Sequence, residues 1–432
     1  MTALHKMPYG KTETCCIAAM MFLSLALAAP APSAERDRAR EILDKTGVKG
    51  GLIVHVGCGD GKLTAALHAN DSYLVQGLDT DPGNVERARE HIRSLGLYGK
   101  VSVDLWSGGY LPYIDNLVNL VVAENIGDIP IEEIVRVLVP EGVAYIKEGD
   151  GWTKTLKIWP REMDEWTHFF HGADNNPVAH DLLVGPPRRY QWIGSPRWSR
   201  HHDHMASMSA LVSTGGRLFY IMDEGPRESI QLPAEWTLVG RDAFNGTVLW
   251  KLPMASWNTH KWPLKSGPAQ VTRRLVAVDD KVYVTLALDA PVTALDAATG
   301  RTIRTYEGTA NTEELIVSEG VVLAMANDAG SKWPQYRQEF PYVWSNSNHA
   351  NRDWAWDQQP RHIVAVEADT GKVLWKHDSP VAPLTLAADS QGVSFHDGQK
   401  LVCLDRKSGE PTWQSEPIGR RTPNPVCFGP RL

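Results

Sequence analysis

The sequence predicts two parts of different architecture: an α/β unit built on a parallel sheet, then an all-β propeller that stops short of a full ring. Three observations carry this expectation. An apolar strand ends in a glycine-rich turn within Gly51–Leu63 (GLIVHVGCGDGKL), and strands alternate with helix-like segments as far as about residue 158. Beyond that, a hairpin pattern closed by glycine recurs four times. Tryptophan marks the same division, since of 16 only Trp106 precedes residue 150. At 432 residues the chain is too long for one ordinary domain.

Met1–Ala34 reads as a secretory signal: a mildly basic start at His5, Lys6 and Lys11, a short apolar core over Ile17–Ala29, then the small residues of APAPSA. The core is too short to span a bilayer, and cleavage is expected between Ala28 and Ala34. The mature chain would then be exported, to a periplasm or equivalent space, with no membrane span left. A disordered start on a cytoplasmic protein is the alternative. Among the five cysteines, Cys15 and Cys16 fall in this signal, and Cys58, Cys403 and Cys427 are expected to be free thiols, a Cys403–Cys427 pair in an oxidising compartment being the alternative. A net charge of −7 with no long basic run argues against a nucleic-acid partner.

Residues 35–158 are expected to form the α/β unit. A charged helix, Glu35–Lys45, precedes the strand Leu52–Val56. The turn Gly57-Cys58-Gly59-Asp60-Gly61 follows, then a helix over Lys62–Ala69. Glycines let a ligand approach the backbone closely, and a strand–turn–helix of this kind is how doubly wound folds hold nucleotides. The spacing is G-x-G-x-G; a dinucleotide fingerprint would need a glycine where Lys62 stands. The second strand, Tyr73–Leu78, ends at Asp79 and Thr80. Asp79 lies 22 residues after Gly57, the offset at which an acid takes ribose hydroxyls. Asp81 is expected to cap the helix Gly83–Ser94. Strands at Val101–Asp104, Leu117–Ala123 and Val143–Lys147, with a helix at Ile131–Val139, complete the alternation.

These motifs resemble class I S-adenosylmethionine (SAM) dependent methyltransferases over about 100 residues, in the glycine turn, GLDTDPGNVERAR, VSVDLW, NLVNLVVAEN and EIVRVLVPEGVAYIKEG. The resemblance implies a Rossmann-like methyltransferase fold with SAM as cofactor. Gly57, Cys58, Gly59 and Gly61 would border its methionine end, with Asp79 and Thr80 at the ribose. Asp104 and Leu105 would flank the adenine, and Glu124 would face the methyl group. Three departures stand out. His55 replaces an acid of the family, as a packed strand residue or a functional one. Only Trp152–Ile158 is available for the family's final strand pair, which implies a shortened sheet. No acceptor base or nucleophile can be named, although SAM chemistry needs little beyond in-line proximity.

Residues 159–432 are expected to form the propeller, with about four readable blades. Val239–Trp250, Thr293–Tyr306, Val364–Trp375 and Val402–Trp413 each contain a strand, an acid, a turn closed by glycine, and a second strand. The acids Asp242, Asp296, Glu367 and Asp405 are expected to accept turn N–H groups, and each Trp to pin its blade to the next. A partner hairpin precedes each. This half resembles the pyrroloquinoline quinone (PQQ)-like repeat family, whose members include quinoprotein dehydrogenases and purely structural propellers. The only adjacent cysteines lie in the signal and no calcium ligand set is readable, which argues against bound PQQ. The lead-in, residues 159–204, concentrates His168, His171, His180, His201, His202 and His204. Imidazoles at such spacing could bind a metal or form a polar rim, and no metal is assigned. Asp328–Arg361 reads as a long insertion in the third blade.

The expected function is SAM-dependent methyl transfer, with the propeller presenting an unidentified acceptor or protein partner. A non-catalytic envelope scaffold and a propeller oxidoreductase are the rival classes. SAM is made in the cytosol whereas the signal points outward, so the two strongest expectations pull apart.

Overall fold

The computed structural model describes residues 33–418, apart from 187–188, 197–199, 201–206, 229–231, 256, 258–268 and 331–355. The signal expected over Met1–Ala34, except its last two residues, lies outside the described residues. So do His201, His202, His204, Cys427 and most of the insertion.

A six-stranded sheet is laid down first. Its strands are β1 (Gly51–Val56), β2 (Tyr73–Asp79), β3 (Val101–Leu105), β4 (Val118–Ala123), β5 (Leu138–Glu148) and β6 (Gly151–Leu156), in the order β3-β2-β1-β4-β5-β6. The first five are parallel and β6 returns antiparallel on β5. A single antiparallel strand thus closes the sheet, the shortened form that the sequence implies. Helices α1 (Ser33–Thr46), α2 (Lys62–Leu67) and α3 (Pro82–Ser94) cover one face, burying Ile42, Leu63, Ala88 and Ile92 on Ile53, Val75, Val103 and Val122. Helix α4 (Ile131–Val137) covers the other, where Ile134 and Val137 pack on Val54, Leu78 and Val121. Helix α3 starts as expected: Pro82 sits in its first turn, and the Asp81 carboxylate accepts the Asn84 N–H at 2.8 Å. Strand order reverses between β1 and β4, and such a switch point opens a crevice at the C-terminal strand ends.

Four antiparallel four-stranded sheets follow. They are β7–β10 (Met208–Thr214, Arg217–Asp223, Trp236–Asp242, Val248–Pro253) and β11–β14 (Leu275–Val278, Lys281–Thr285, Val292–Asp296, Thr302–Thr305), then two more. The third is β15–β18 (Thr312–Ser318, Val321–Ala326, Pro360–Glu367, Val373–Pro380) and the fourth β19–β22 (Ala387–Ala388, Gly392–His396, Leu401–Asp405, Pro411–Gln414). The first strands of successive blades, β7, β11, β15 and β19, are neighbours. No ladder among the described residues joins one of these sheets to another, so each blade is a separate sheet packed on the next.

Three of the four turn acids accept turn N–H groups as expected, whereas the Glu367 carboxylate accepts the Thr370 hydroxyl instead. Asp242 accepts Phe244 and Asn245 N–H, Asp296 accepts Thr299 N–H, and Asp405 accepts Lys407 and Ser408 N–H, all at 2.8–3.0 Å. Trp250 and Trp375 pin blade to blade through indole N–H bonds to Ala297 O and Arg406 O. Trp413 corrects the expectation that every such Trp does so: it is 55% exposed, with no further blade beyond it among the described residues.

The lead-in is a strap along the inner strands. Trp166 O accepts Ser213 N–H of blade 1, and Thr167 O accepts Ala277 N–H of blade 2. His168 Nε2 accepts Val317 N–H of blade 3 at 3.1 Å, and Ala173 O accepts Ala388 N–H of blade 4. One bond to each blade occupies N–H groups that an open sheet edge would otherwise leave unpaired. His168 is buried, and burial foremost, then the nearby Arg273 charge, lowers its pKa to about 3. It therefore works as a neutral strut, while His171 pairs with Asp164 at 2.7 Å.

Blade 1 docks on the α/β sheet at the N-terminal ends of the parallel strands. Asn119 Nδ2 donates to Asp242 Oδ2 (2.7 Å), Asn245 Nδ2 to Leu117 O (3.0 Å), and Ser72 Oγ to Leu249 O (2.5 Å).

Candidate functional site

The glycine turn sits at the C-terminal end of β1, on the switch point and opposite the seam with blade 1. Gly57, Gly59 and Gly61 all have left-handed φ, +72°, +57° and +77°, which only glycine adopts without strain. A β-carbon on Gly57 or Gly59 would meet nothing within 4 Å, so both leave open space above the turn. Gly61 differs, because a β-carbon there would lie 2.7 Å from that of Ala88. Its role is to let α3 approach α2. The Cys58 side chain points down into the core against Gly77, and burial raises its thiol pKa to about 12. It is a packing residue with an inert thiol.

Asp79 ties the turn to β2. One carboxylate oxygen accepts Gly59 N–H at 2.9 Å, the other Asp81 N–H at 2.9 Å and Asn84 Nδ2 at 3.0 Å. Burial works to raise its pKa, but these hydrogen bonds outweigh it and hold the group below the ordinary carboxylate range. The Thr80 backbone N–H also acts on this carboxylate, so Asp79 is surrounded by donors from the turn and the start of α3. Thr80 is exposed beside it.

At the end of β3, Asp104 is exposed and bonds to Gln76 Nε2 (2.7 Å) and Arg89 Nη2 (3.1 Å), and Leu105 is 56% exposed. Past β4, Glu124 is half exposed and pairs with Arg38 of α1 at 2.7 Å. Arg38 in turn lies 5.7 Å from the Trp152 ring. His55 lies beneath, fully buried, its Nδ1 hydrogen-bonded to Thr64 Oγ1 (2.8 Å). Burial foremost lowers its pKa to about 4, leaving a neutral ring.

The sequence singled out neither Arg38 nor Asn84. Asn84 had a signal, standing five residues after Asp79 where a helix start turns back onto the strand end. Arg38 had none, being one of several charges on α1. Among the described residues, further cavities lie away from the turn. The first, of about 310 Å³ in the inter-domain seam, is lined by Lys49, Asn119, Arg217 and Asp242. One of about 600 Å³ lies beside α1 and α2, and one of about 460 Å³ under the lead-in. No helix among the described residues is long and apolar enough to cross a membrane.

Comparison with known proteins finds two different families, one in the N-terminal part of the chain and one in the C-terminal part. Residues 53–142 match the family model described as a methyltransferase domain. Residues 359–424 match a PQQ-repeat model described as outer membrane protein assembly factor BamB. The methyltransferase GfsG of Streptomyces halstedii is 35% identical over 99 residues, which are 22% of this chain and 36% of that protein. Among solved structures, a SAM-dependent methyltransferase from Aquifex aeolicus aligns at 24% identity over 26% of this chain and 67% of its own, with a TM-score of 0.24. Geranyl diphosphate C-methyltransferase of Streptomyces coelicolor aligns at 18% identity over 26% of this chain and 45% of its own, also at 0.24. The chain thus spans about a third of the curated relative's length and about half that of several such structures. It joins a methyltransferase-like α/β domain to a PQQ-like repeat domain.

Proposed function

We propose that the chain binds SAM at the C-terminal edge of β1–β4 and transfers its methyl group to an acceptor that approaches from that side. The observation that carries this reading is the bond between Gly59 N–H and Asp79. It holds a turn of three left-handed glycines against the strand end where a ribose would lie, with open space above Gly57 and Gly59. SAM, when bound, supplies an electrophilic methyl group. This chain's own residues hold and orient it. Gly57 and Gly59 give the backbone close approach, Asp79 accepts from the ribose hydroxyls beside Thr80, and Asp104 and Leu105 border the base. Glu124 stands at the methyl end with its charge balanced by Arg38.

The propeller, in this reading, presents a partner and not the acceptor itself. Its first blade is anchored at the opposite ends of the strands, about 20 Å from the glycine turn for a six-residue strand. The domain boundaries at about residues 158–159, the export of the chain and the absence of PQQ remain part of the same proposal. Calorimetric titration of SAM, and separately of S-adenosylhomocysteine, into the full chain tests it. Saturable heat with both is the expected result. No heat at millimolar ligand would overturn the reading in favour of a non-catalytic scaffold.

A further inference from the structure

The lead-in meets blade 1 around a cavity of about 460 Å³, a volume in the range of small-molecule sites and away from the glycine turn. Its walls come from three places: Trp159 just past β6, the strap around Met163–Trp166 and Asp181, and Phe244 in the turn that follows β9. Aromatic rings make one side. Trp159 and Phe244 stand edge to face with centroids 6.2 Å apart. Gly216 lies beneath both, and a β-carbon there would come 3.0 Å from Phe244 and 3.5 Å from Trp159. Its φ of +68° favours glycine on backbone grounds as well. Trp166 completes this side, its indole N–H bonded to Phe169 O at 3.2 Å.

Three carboxylates, Asp164, Glu165 and Asp181, line the same cavity. All six of their oxygens already accept from the protein. Asp164 takes Glu165 N–H, His180 N–H and His171 Nε2, Glu165 takes Gly215 N–H and the Thr214 hydroxyl, and Asp181 takes the N–H groups of Asp164, Leu183 and Val184, all at 2.5–3.0 Å. Burial works to raise the Asp164 pKa, but its hydrogen bonds outweigh that, and the Val184 N–H foremost lowers that of Asp181, so both are ionised at neutral pH. Arg217 also borders the cavity, but its Nη1 donates to Gly215 O (3.1 Å) and its charge acts on the buried Asp242. What results is a negative field beside aromatic faces, with the acceptor oxygens engaged. A neutral ligand gains nothing from that field, and a primary ammonium brings N–H groups that need free acceptors. A fully alkylated ammonium needs only the charge and the π faces. We propose that this cavity binds a quaternary ammonium group, seated against Trp159, Trp166 and Phe244 and faced by Asp164, Glu165 and Asp181. The site is separate from the glycine turn and does not rest on SAM binding.

The test is calorimetric titration of the full chain with choline and with its uncharged isostere, which carries tert-butyl in place of trimethylammonium. Choline should give saturable heat and bind at least about tenfold tighter than the isostere. Equal affinities would mean an apolar pocket indifferent to charge, and the absence of saturable heat with choline at tens of millimolar would mean no site; either overturns the proposal. This comparison needs no variant. Trp159→Leu keeps an apolar side chain and removes the π face, so choline should weaken about tenfold and the isostere by less than about twofold. An unchanged choline affinity in a folded Trp159→Leu chain overturns the proposal. Asp79→Ala, at the glycine turn, should leave choline binding as it is. A loss in that variant would place the cation in the turn, where a sulfonium is expected, and would overturn the assignment to this cavity.

Discussion

Asn119 and Asp242 meet across the domain seam at 2.7 Å, the amide of a β4 residue donating to the turn acid of blade 1. The same amide oxygen accepts Leu52 N–H (2.8 Å) and Asn245 Nδ2 (2.7 Å), so one side chain links two strands of the parallel sheet to the first blade. Asp242 is 4% exposed, and burial raises its pKa against the donors that stabilise its charge.

Asn119→Ala should therefore leave a buried carboxylate short of one donor and two further N–H groups unpaired. A loss of about 2–4 kcal/mol is expected from buried hydrogen bonds to a charged group. Calorimetry should show the unfolding of the two parts separating into two transitions. A single transition at the wild-type temperature would show that the seam does not couple them.

Asp79→Ala removes the acceptor for Gly59, Asp81 and Asn84 together with the proposed ribose contact. SAM affinity is expected to fall about tenfold to a hundredfold, the worth of a charged hydrogen bond of roughly 1.5–3 kcal/mol. Titration calorimetry reads it directly. Asn84→Ala leaves the carboxylate and removes only one clamp, so its effect should be smaller. Equal losses in the two variants would mean that Asp79 acts by shaping the turn alone.

His55 and His168 are buried and neutral, with pKa lowered to about 4 and about 3. Unfolded, each takes up a proton at about pH 6.5. The unfolded state binds more protons in the window between, so stability is complete above about pH 6.5 and falls as pH drops toward 4 and 3. For His55 the full difference is worth about 3 kcal/mol at the acid end. Urea midpoints should decline between pH 7 and 4, and less steeply in His55→Gln. An unchanged slope in that variant would show that the ring is not kept neutral by burial.

Gly300→Ala and Gly320→Ala separate backbone strain from a filled slot. Both glycines have φ near +70°, but a β-carbon on Gly320 meets nothing, whereas on Gly300 it strikes Trp250. Gly320→Ala should cost about 1–2 kcal/mol in strain alone. Gly300→Ala should cost about 1–3 kcal/mol more through overpacking. Similar urea midpoints for the two would mean that the indole moves aside freely.

The architecture was legible because its signals are local. A G-x-G-x-G turn between an apolar strand and a helix, Asp79 at its spacing, and four acid–glycine hairpins each declare themselves within a dozen residues, since turn chemistry and strand burial are decided by near neighbours. Side-chain direction was not legible in the same way. Cys58 and Gly61 stand in the motif beside Gly57 and Gly59, yet one side chain packs into the core and the other glycine admits Ala88. The Arg38–Glu124 pair brings together residues 86 positions apart. The lead-in histidines suggested a metal or a rim, and only the tertiary structure turned His168 into a strut against Val317. Likewise Trp413 has the same sequence signature as Trp375 but is exposed where Trp375 is buried. A sequence motif states what a residue offers; which partner takes the offer depends on long-range packing, and that is settled only when the whole chain has folded.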